Sequence, residues 1–336
     1  MTMTLTLRRM RGALIAGTAA LALATGAASA ETLRFLMPWN EASEGNFVVG
    51  QHAIDLIEEV SGGEIRVQRF DISVVPPFEQ FEPVASGVFD LHYTNPAYHS
   101  GATRMGQIAE TAVSDPALRR SSGLWDRVDA AYQELNMKLI ALGPSTGYQF
   151  LLKEPIGEDG GLRARRIRSN PAYDGVIRTM DGAPVQMPVP EIYSALQRGM
   201  IDGTAYPGHG LVASRMYEVA DYMTRPKFGQ GSAMLLMNLD KWNALSEQQQ
   251  EWLLEAGRRF ETEAFDLVRE VAARDEAGML ERGTQITEFG PAFAERINQI
   301  YNEGVWTQAV AHSGPEAQAL IDFLVENDLV FQGHED

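Results

Sequence analysis

The sequence predicts an α/β protein built as two similar lobes with a long helix running behind both. Three observations predict it. One order of elements occurs twice along the chain. One segment of about 35 residues keeps helical spacing without a proline. About 300 residues follow an apolar leader, enough chain for two cores.

The first copy opens at Thr32–Met37, a buried strand. Asn46 to Val60 then places Phe47, Gly50, Ala53, Ile54, Ile57 and Val60 at helical spacing, and Gly62-Gly63 ends that helix. Glu64–Arg69 alternates as a strand. Phe78–Ser86 is a short helix closed by Gly87, and a strand through Tyr93 leads to Pro96. The second copy runs through a strand at Ala164–Arg168, a helix at Tyr173–Met180, a strand at Pro184–Met187 and a helix at Glu191–Gln197 closed by Gly199. A strand through Tyr206 then reaches Pro207. Both copies carry Gly-x-apolar-Asp at the last junction, Gly87 with Asp90 and Gly199 with Asp202. The glycine suits a left-handed helix cap and the aspartate is expected to fix the following turn. One such junction is common; two in the same order of elements favour two βαβ-type lobes.

Between and after the copies, 115–135 is expected as an amphipathic helix, and 137–142, Tyr148–Leu152 and Ser232–Met237 as strands. Ser246 to Arg282 carries Trp252, Leu253, Ala256, Phe260, Ala264, Leu267, Val268 and Val271 at three- and four-residue steps. Ser246 with Gln249 gives it a capping-box start. Pro291–Leu329 is mostly helical. The expected organisation is a leader at 1–30, mainly the first lobe at 31–150, mainly the second at 151–240, and the long and C-terminal helices of 241–336 packing across both.

The leader has Arg8, Arg9 and Arg11 before an apolar run too short to span a bilayer. Ala28-Ser29-Ala30 fits signal peptidase, so cleavage after Ala30 and a periplasmic location are expected. There is no cysteine, which excludes disulfides, thiolate chemistry and a lipidated cysteine at the cleavage site. Loss of three arginines with the leader takes the formal charge from −17 to −20. Such a surface repels nucleic acid. An anionic ligand would then need a specific cation.

Catalytic patterns fail on inspection. Gly143-Pro144-Ser145-Thr146-Gly147 matches the nucleophile-elbow string, but a strand follows where a helix is required. His92 and His99 lack zinc-ligand spacing. His209, between glycines, is expected to be a solvated loop histidine. No phosphate loop and no paired acid/base carboxylates are evident. The expectation is a binding protein without cofactor or metal, not an enzyme.

This layout resembles the substrate-binding proteins of tripartite ATP-independent periplasmic (TRAP) transporters, the dicarboxylate-binding-protein-like family, over nearly all of the chain beyond the leader. The resemblance rests on Thr32–Phe35, Gly87–Leu91 with Asn95–Tyr98, and above all Leu162–Pro207, including Gly182–Pro188 and Glu191–Leu196. It implies a two-lobe periplasmic-binding-protein fold of the Venus-flytrap type. It also implies capture of a small organic carboxylate, delivery to small and large permease subunits, and a monomer. The family's ligand-anchoring arginine maps onto Arg168. A planar guanidinium forks onto a carboxylate as lysine does not. Strand alternation puts Arg166 on the same side, as the fallback anchor. Where many members have a second arginine this chain has Tyr148-Gln149, and where many have asparagine it has Tyr206. One cation fewer favours a monocarboxylate, or a zwitterion such as ectoine. Trp39, Asn95, Tyr148, Gln149 and Tyr206 complete the expected ligand set, with Tyr206 and Trp39 preferred. A sensory binding protein and, less favoured, a periplasmic enzyme on the same scaffold are the alternatives.

Overall fold

The computed structural model describes residues 30–41, 44–143, 146–157 and 160–333. Residues 1–29 of the expected leader and Ser145 lie outside the described residues.

Two sheets form the lobes. The first contains β1 (Glu31–Leu36), β2 (Ile65–Phe70), β3 (Leu91–Thr94), β4 (Met137–Leu142) and β10 (Met234–Asn238), in the order β2-β1-β3-β10-β4. The second contains β5 (Tyr148–Leu152), β6 (Arg166–Ser169), β7 (Ala183–Gln186), β8 (Gly203–Pro207), β9 (Tyr222–Arg225) and β11 (Gln285–Glu288), in the order β11-β9-β5-β8-β6-β7. β1, β2 and β3 are parallel, as are β6, β7 and β8. In each sheet one antiparallel strand follows: β10 beside β3, and β5 beside β8.

Those two antiparallel strands follow the passages of the chain between the sheets. β5 begins at Tyr148 and already belongs to the second sheet; β10 follows the return at 226–233 and belongs to the first. The two crossings are bonded together: Gly143 N donates to the Ala233 carbonyl at 2.6 Å, and Tyr148 and Phe228 exchange backbone bonds at 2.7 and 2.9 Å. Gly143 leaves no room for a side chain, because a Cβ there would lie 2.6 Å from that carbonyl oxygen.

The helices follow the pattern with local breaks. α1 (Glu44–Val60) lies between β1 and β2. The expected 78–86 helix is a 3-10 turn at Pro77–Glu79 followed by α2 (Phe81–Ala85). α3 (Met105–Ala109) has no counterpart in the sequence reading. The expected 115–135 helix divides into α4 (Pro116–Ser121) and α5 (Leu124–Gln133) around Gly123, whose φ of 85° ends one and starts the other. α6 (Asp174–Thr179) and α7 (Ile192–Gln197) complete the second copy, and α8 (Leu239–Ala244) precedes the long helix. α9 spans Glu247–Glu281 and starts with the reciprocal Ser246–Gln249 capping box. At 1.5 Å per residue it is about 50 Å long. Phe260 enters the core of the first lobe and Met279 that of the second, so one helix holds both. α10 (Pro291–Ala294), α11 (Ile297–Ser313) and α12 (Pro315–Glu326) follow β11. α11 also bridges, with Tyr301 and Val305 in a second-lobe core and Ala309 in a first-lobe core.

The duplication extends to side chains. Arg34 of β1 donates Nε to Asp90 Oδ2 at 3.0 Å, Nη2 to Oδ1 at 2.8 Å, and Nη2 to the Gly87 carbonyl at 2.9 Å. Arg166 of β6 repeats this on Asp202 at 3.0 and 2.8 Å and on the Gly199 carbonyl at 3.0 Å. The aspartate of each Gly-x-apolar-Asp junction therefore clamps the first strand of its lobe rather than only the next turn. Gly87 and Gly199 are left-handed, at φ 80° and 68°.

Candidate functional site

In a parallel sheet the carboxyl ends of the strands leave a crevice. Here two such edges face each other. Trp39 follows β1, and Asn95 and Tyr98 follow β3; opposite them, Arg168 is the penultimate residue of β6, Val189 follows β7 and His209 follows β8. The antiparallel strands run the other way, so their amino ends contribute: Tyr148 begins β5 and Ser232 precedes β10. The cleft between them measures about 430 Å³, including the part open to solvent.

Arg168 is the charged residue among the described lining side chains. It is 2% exposed. Nε donates to the Met187 carbonyl at 2.9 Å, and Nη1 to the Tyr173 hydroxyl at 2.5 Å and the Ala205 carbonyl at 3.3 Å. Three protein bonds aim the fork. Nη2 is buried and has no hydrogen-bond partner among the described residues. A buried charged donor left unsatisfied costs more than the 1–3 kcal/mol typical of a neutral one. An anion in the cleft removes that cost. Burial raises the pKa of the Tyr98, Tyr148, Tyr173 and Tyr206 phenols, and the Arg168 charge opposes that rise in each.

The expected ligand set divides. Trp39, Asn95, Tyr148 and Arg168 line the cleft together. Asn95 is already committed: Oδ1 accepts from Ala97 N at 2.9 Å, and Nδ2 donates to Glu110 Oε1 at 2.9 Å and the Ser232 carbonyl at 2.8 Å. Burial pushes the Glu110 carboxyl well above the usual range, which weakens its charge against an anion in the cleft. Tyr148 packs edge-on to Tyr173 at 4.8 Å. Its hydroxyl occupies the space a Cβ on Gly231 would need, at 2.0 Å, which explains the glycine in the returning crossover.

Three expected residues stand elsewhere. Arg166 is half exposed on the flank of the second lobe, its Nε–Nη2 edge is bound to Asp202, and Nη2 also donates to the Gly199 carbonyl, so that edge is not available to a ligand. Alternation placed it beside Arg168, but its role is that of Arg34 in the other lobe. Gln149 and Tyr206 are cross-strand partners in the β5–β8 ladder. Tyr206 packs in the lobe core, its hydroxyl 3.1 Å from Ser214 Oγ, and does not line the cleft. Gln149 Oε1 accepts from Arg225 Nη1. That arginine, brought from β9, is paired with Glu276 and is not a second ligand cation.

His209 is corrected from solvated to buried, at 5% exposure. Nδ1 lies 2.9 Å from Thr146 Oγ1 and Nε2 lies 3.1 Å from Asn46 Oδ1. Burial lowers its pKa to about 4, so it is neutral at ordinary pH. Asn46 belongs to the first lobe and His209 to the second, so this bond crosses the cleft mouth. Beside it Gly45 passes so close to Gly210 that a Cβ would lie 2.8 Å from its nitrogen. Gly210 N and Leu211 N both donate to Asp275 of α9, at 2.6 and 3.0 Å, which fixes the loop that carries His209. Asn46, His209, Asn170 and Tyr173 were not in the expected set; the glycines around His209 were the one local signal for any of them.

Among known proteins, the model of the bacterial extracellular solute-binding protein family 7 matches residues 51–310. The 2,3-diketo-L-gulonate-binding periplasmic protein YiaO of Escherichia coli is 22% identical over 313 residues, covering 87% of this chain and 92% of YiaO. The TRAP periplasmic solute-binding protein of Desulfovibrio salexigens with bound orotic acid superposes with a TM-score of 0.77 at 18% identity, over 88% of this chain and 97% of that one. DctP7 of Bordetella pertussis, an extracytoplasmic solute receptor binding pyroglutamic acid, gives 0.75 at 15% identity, over 88% and 99%.

Proposed function

This chain belongs to the bacterial extracellular solute-binding proteins of family 7, and we propose that it captures one small monocarboxylate outside the cytoplasm and hands it to the membrane subunits of a TRAP transporter. The single observation that carries this reading is the buried Arg168 fork with Nη2 unpartnered in the cleft. A carboxylate satisfies it with a charge-assisted bond, which is the strong kind. A dicarboxylate is disfavoured. Its second charge would be desolvated without a partner, since Arg168 is the one charged side chain among the described lining residues. The solutes named for the three relatives, diketogulonate, orotate and pyroglutamate, each carry one carboxylate, which supports the same choice.

The mechanism is lobe closure. Arg168 sits on the second lobe and Trp39 on the first, so a solute held by both favours the closed arrangement over an open one. The Asn46–His209 bond forms only when the mouth is shut. Export with cleavage after Ala30 is part of this proposal, and among the described residues no helix is long and apolar enough to cross a membrane. Small-angle scattering tests the mechanism. Saturating solute is expected to reduce the radius of gyration and to raise the melting temperature, because it binds only folded protein. A scattering curve unchanged at saturation contradicts closure.

A further inference from the structure

We infer that the solute carries, besides its carboxylate, a neutral hydrogen-bond acceptor (a keto, hydroxyl or amide oxygen) that the Trp39 indole N–H holds from the opposite lobe. The inference rests on the carboxylate reading of the cleft and narrows it. Trp39 is 3% exposed and lines the cleft just beyond β1. Its Nε1 is buried and without a hydrogen-bond partner among the described residues, like Arg168 Nη2. Buried polar groups are nearly always bonded, so two orphan donors lining one cleft call for a ligand that presents two acceptors. The Tyr98 phenol lies beside both the Trp39 indole and the Arg168 guanidinium, which places the two donors around one small space.

The charges define the second acceptor. A second carboxylate would meet one neutral N–H, which does not offset its desolvation. An ammonium group would meet no carboxylate among the described lining residues. A neutral oxygen needs one donor and finds it. The indole is also held in direction: its ring packs at 5.3 Å from Tyr93 and 5.9 Å from Tyr98, within the first-lobe core. Because the two donors belong to different lobes, the neutral acceptor is engaged only on closure. An acid without it would reach Arg168 yet close the lobes less.

The test is calorimetric titration of two matched pairs, pyruvate with propionate and 4-oxopentanoate with pentanoate, against the full mature chain and its Trp39→Phe variant. In the wild type the oxo acid of at least one pair is expected to bind about five- to twentyfold tighter than its deoxo partner, the value of one hydrogen bond in a buried site. Trp39→Phe is expected to erase that difference while leaving the deoxo acid within about threefold. A second measurement needs no variant to fold: the Trp39 indole N–H resonance of the wild type should move downfield with the oxo acid and not with its partner. An equal loss for both acids of each pair, or an indole resonance indifferent to the oxo group, overturns the inference and leaves the Arg168 site standing. Absence of binding by all four acids overturns the carboxylate reading and this inference together.

Discussion

Replacing Arg168 by lysine keeps the charge and removes the fork. Arg168 uses Nε on Met187 and Nη1 on Tyr173 and Ala205, which leaves Nη2 without a partner among the described residues. One ammonium cannot serve the Met187 carbonyl, the Tyr173 hydroxyl and a solute at once. Breaking a buried, hydrogen-bonded charge pair by truncating one partner costs about 2–4 kcal/mol of affinity. That is a rise in Kd of about 30- to 1,000-fold. The fold is affected as well. At 2% exposure the abandoned carbonyls find little water, so apo stability is expected to fall by about 1–3 kcal/mol. The assay is calorimetric titration well below the melting point of the variant, with apo melting followed separately. A lowered melting temperature with a Kd within about threefold of wild type would refute the reasoning. Arg168 would then be a structural arginine and the anchor would be elsewhere.

Two further perturbations separate site from scaffold. Arg166→Ala breaks the clamp on Asp202 and should lower the melting temperature while leaving solute affinity within about threefold; a loss of binding like that of Arg168→Lys would return Arg166 to the site. His209 is held neutral, with its pKa moved from the ordinary 6.5 to about 4 by burial. Its contribution to stability is therefore intact above pH 6.5 and is lost as the unfolded chain gains the proton between 6.5 and 4. Over that window the wild type should lose up to about 3 kcal/mol more than a His209→Gln variant. Glu110, whose pKa is raised, acts with the opposite sign and is common to both proteins. Parallel stability–pH curves for the two would show that His209 is not a buried neutral residue.

Much of this architecture was legible in the residues because it rests on local signals. The capping box at Ser246 and the absence of proline set α9 to within a residue at each end. Period-two and period-3.6 patterns set β1, α1 and the second copy. The lobe assignment of β5 and β10 was not legible, because an apolar strand carries no mark of the sheet it joins. β9 and β11 escaped for the same lack of local pattern. At the site, Arg168 emerged from residue chemistry and resemblance. The Arg166–Asp202 clamp was present in the sequence as the repeated spacing to Gly-x-apolar-Asp, with Arg34 as its twin, but strand alternation alone treated Arg166 like Arg168. Strand position gave no account of the neighbours that claim Tyr206 and Gln149, Ser214 and Arg225 respectively. His209 and Asn46 meet across 163 residues of sequence, and only the folded lobes bring them together.

The central claim is that one buried arginine reads one carboxylate. Titration of a size-matched panel of monocarboxylates and C4-dicarboxylates at fixed ionic strength tests it most directly. The protein is expected to bind a monocarboxylate more tightly than succinate or malate, since burying the second charge unpaired costs several kcal/mol. Tighter binding of succinate or malate than of every monocarboxylate tried would contradict the account, because a second cation would then have to complete the cleft.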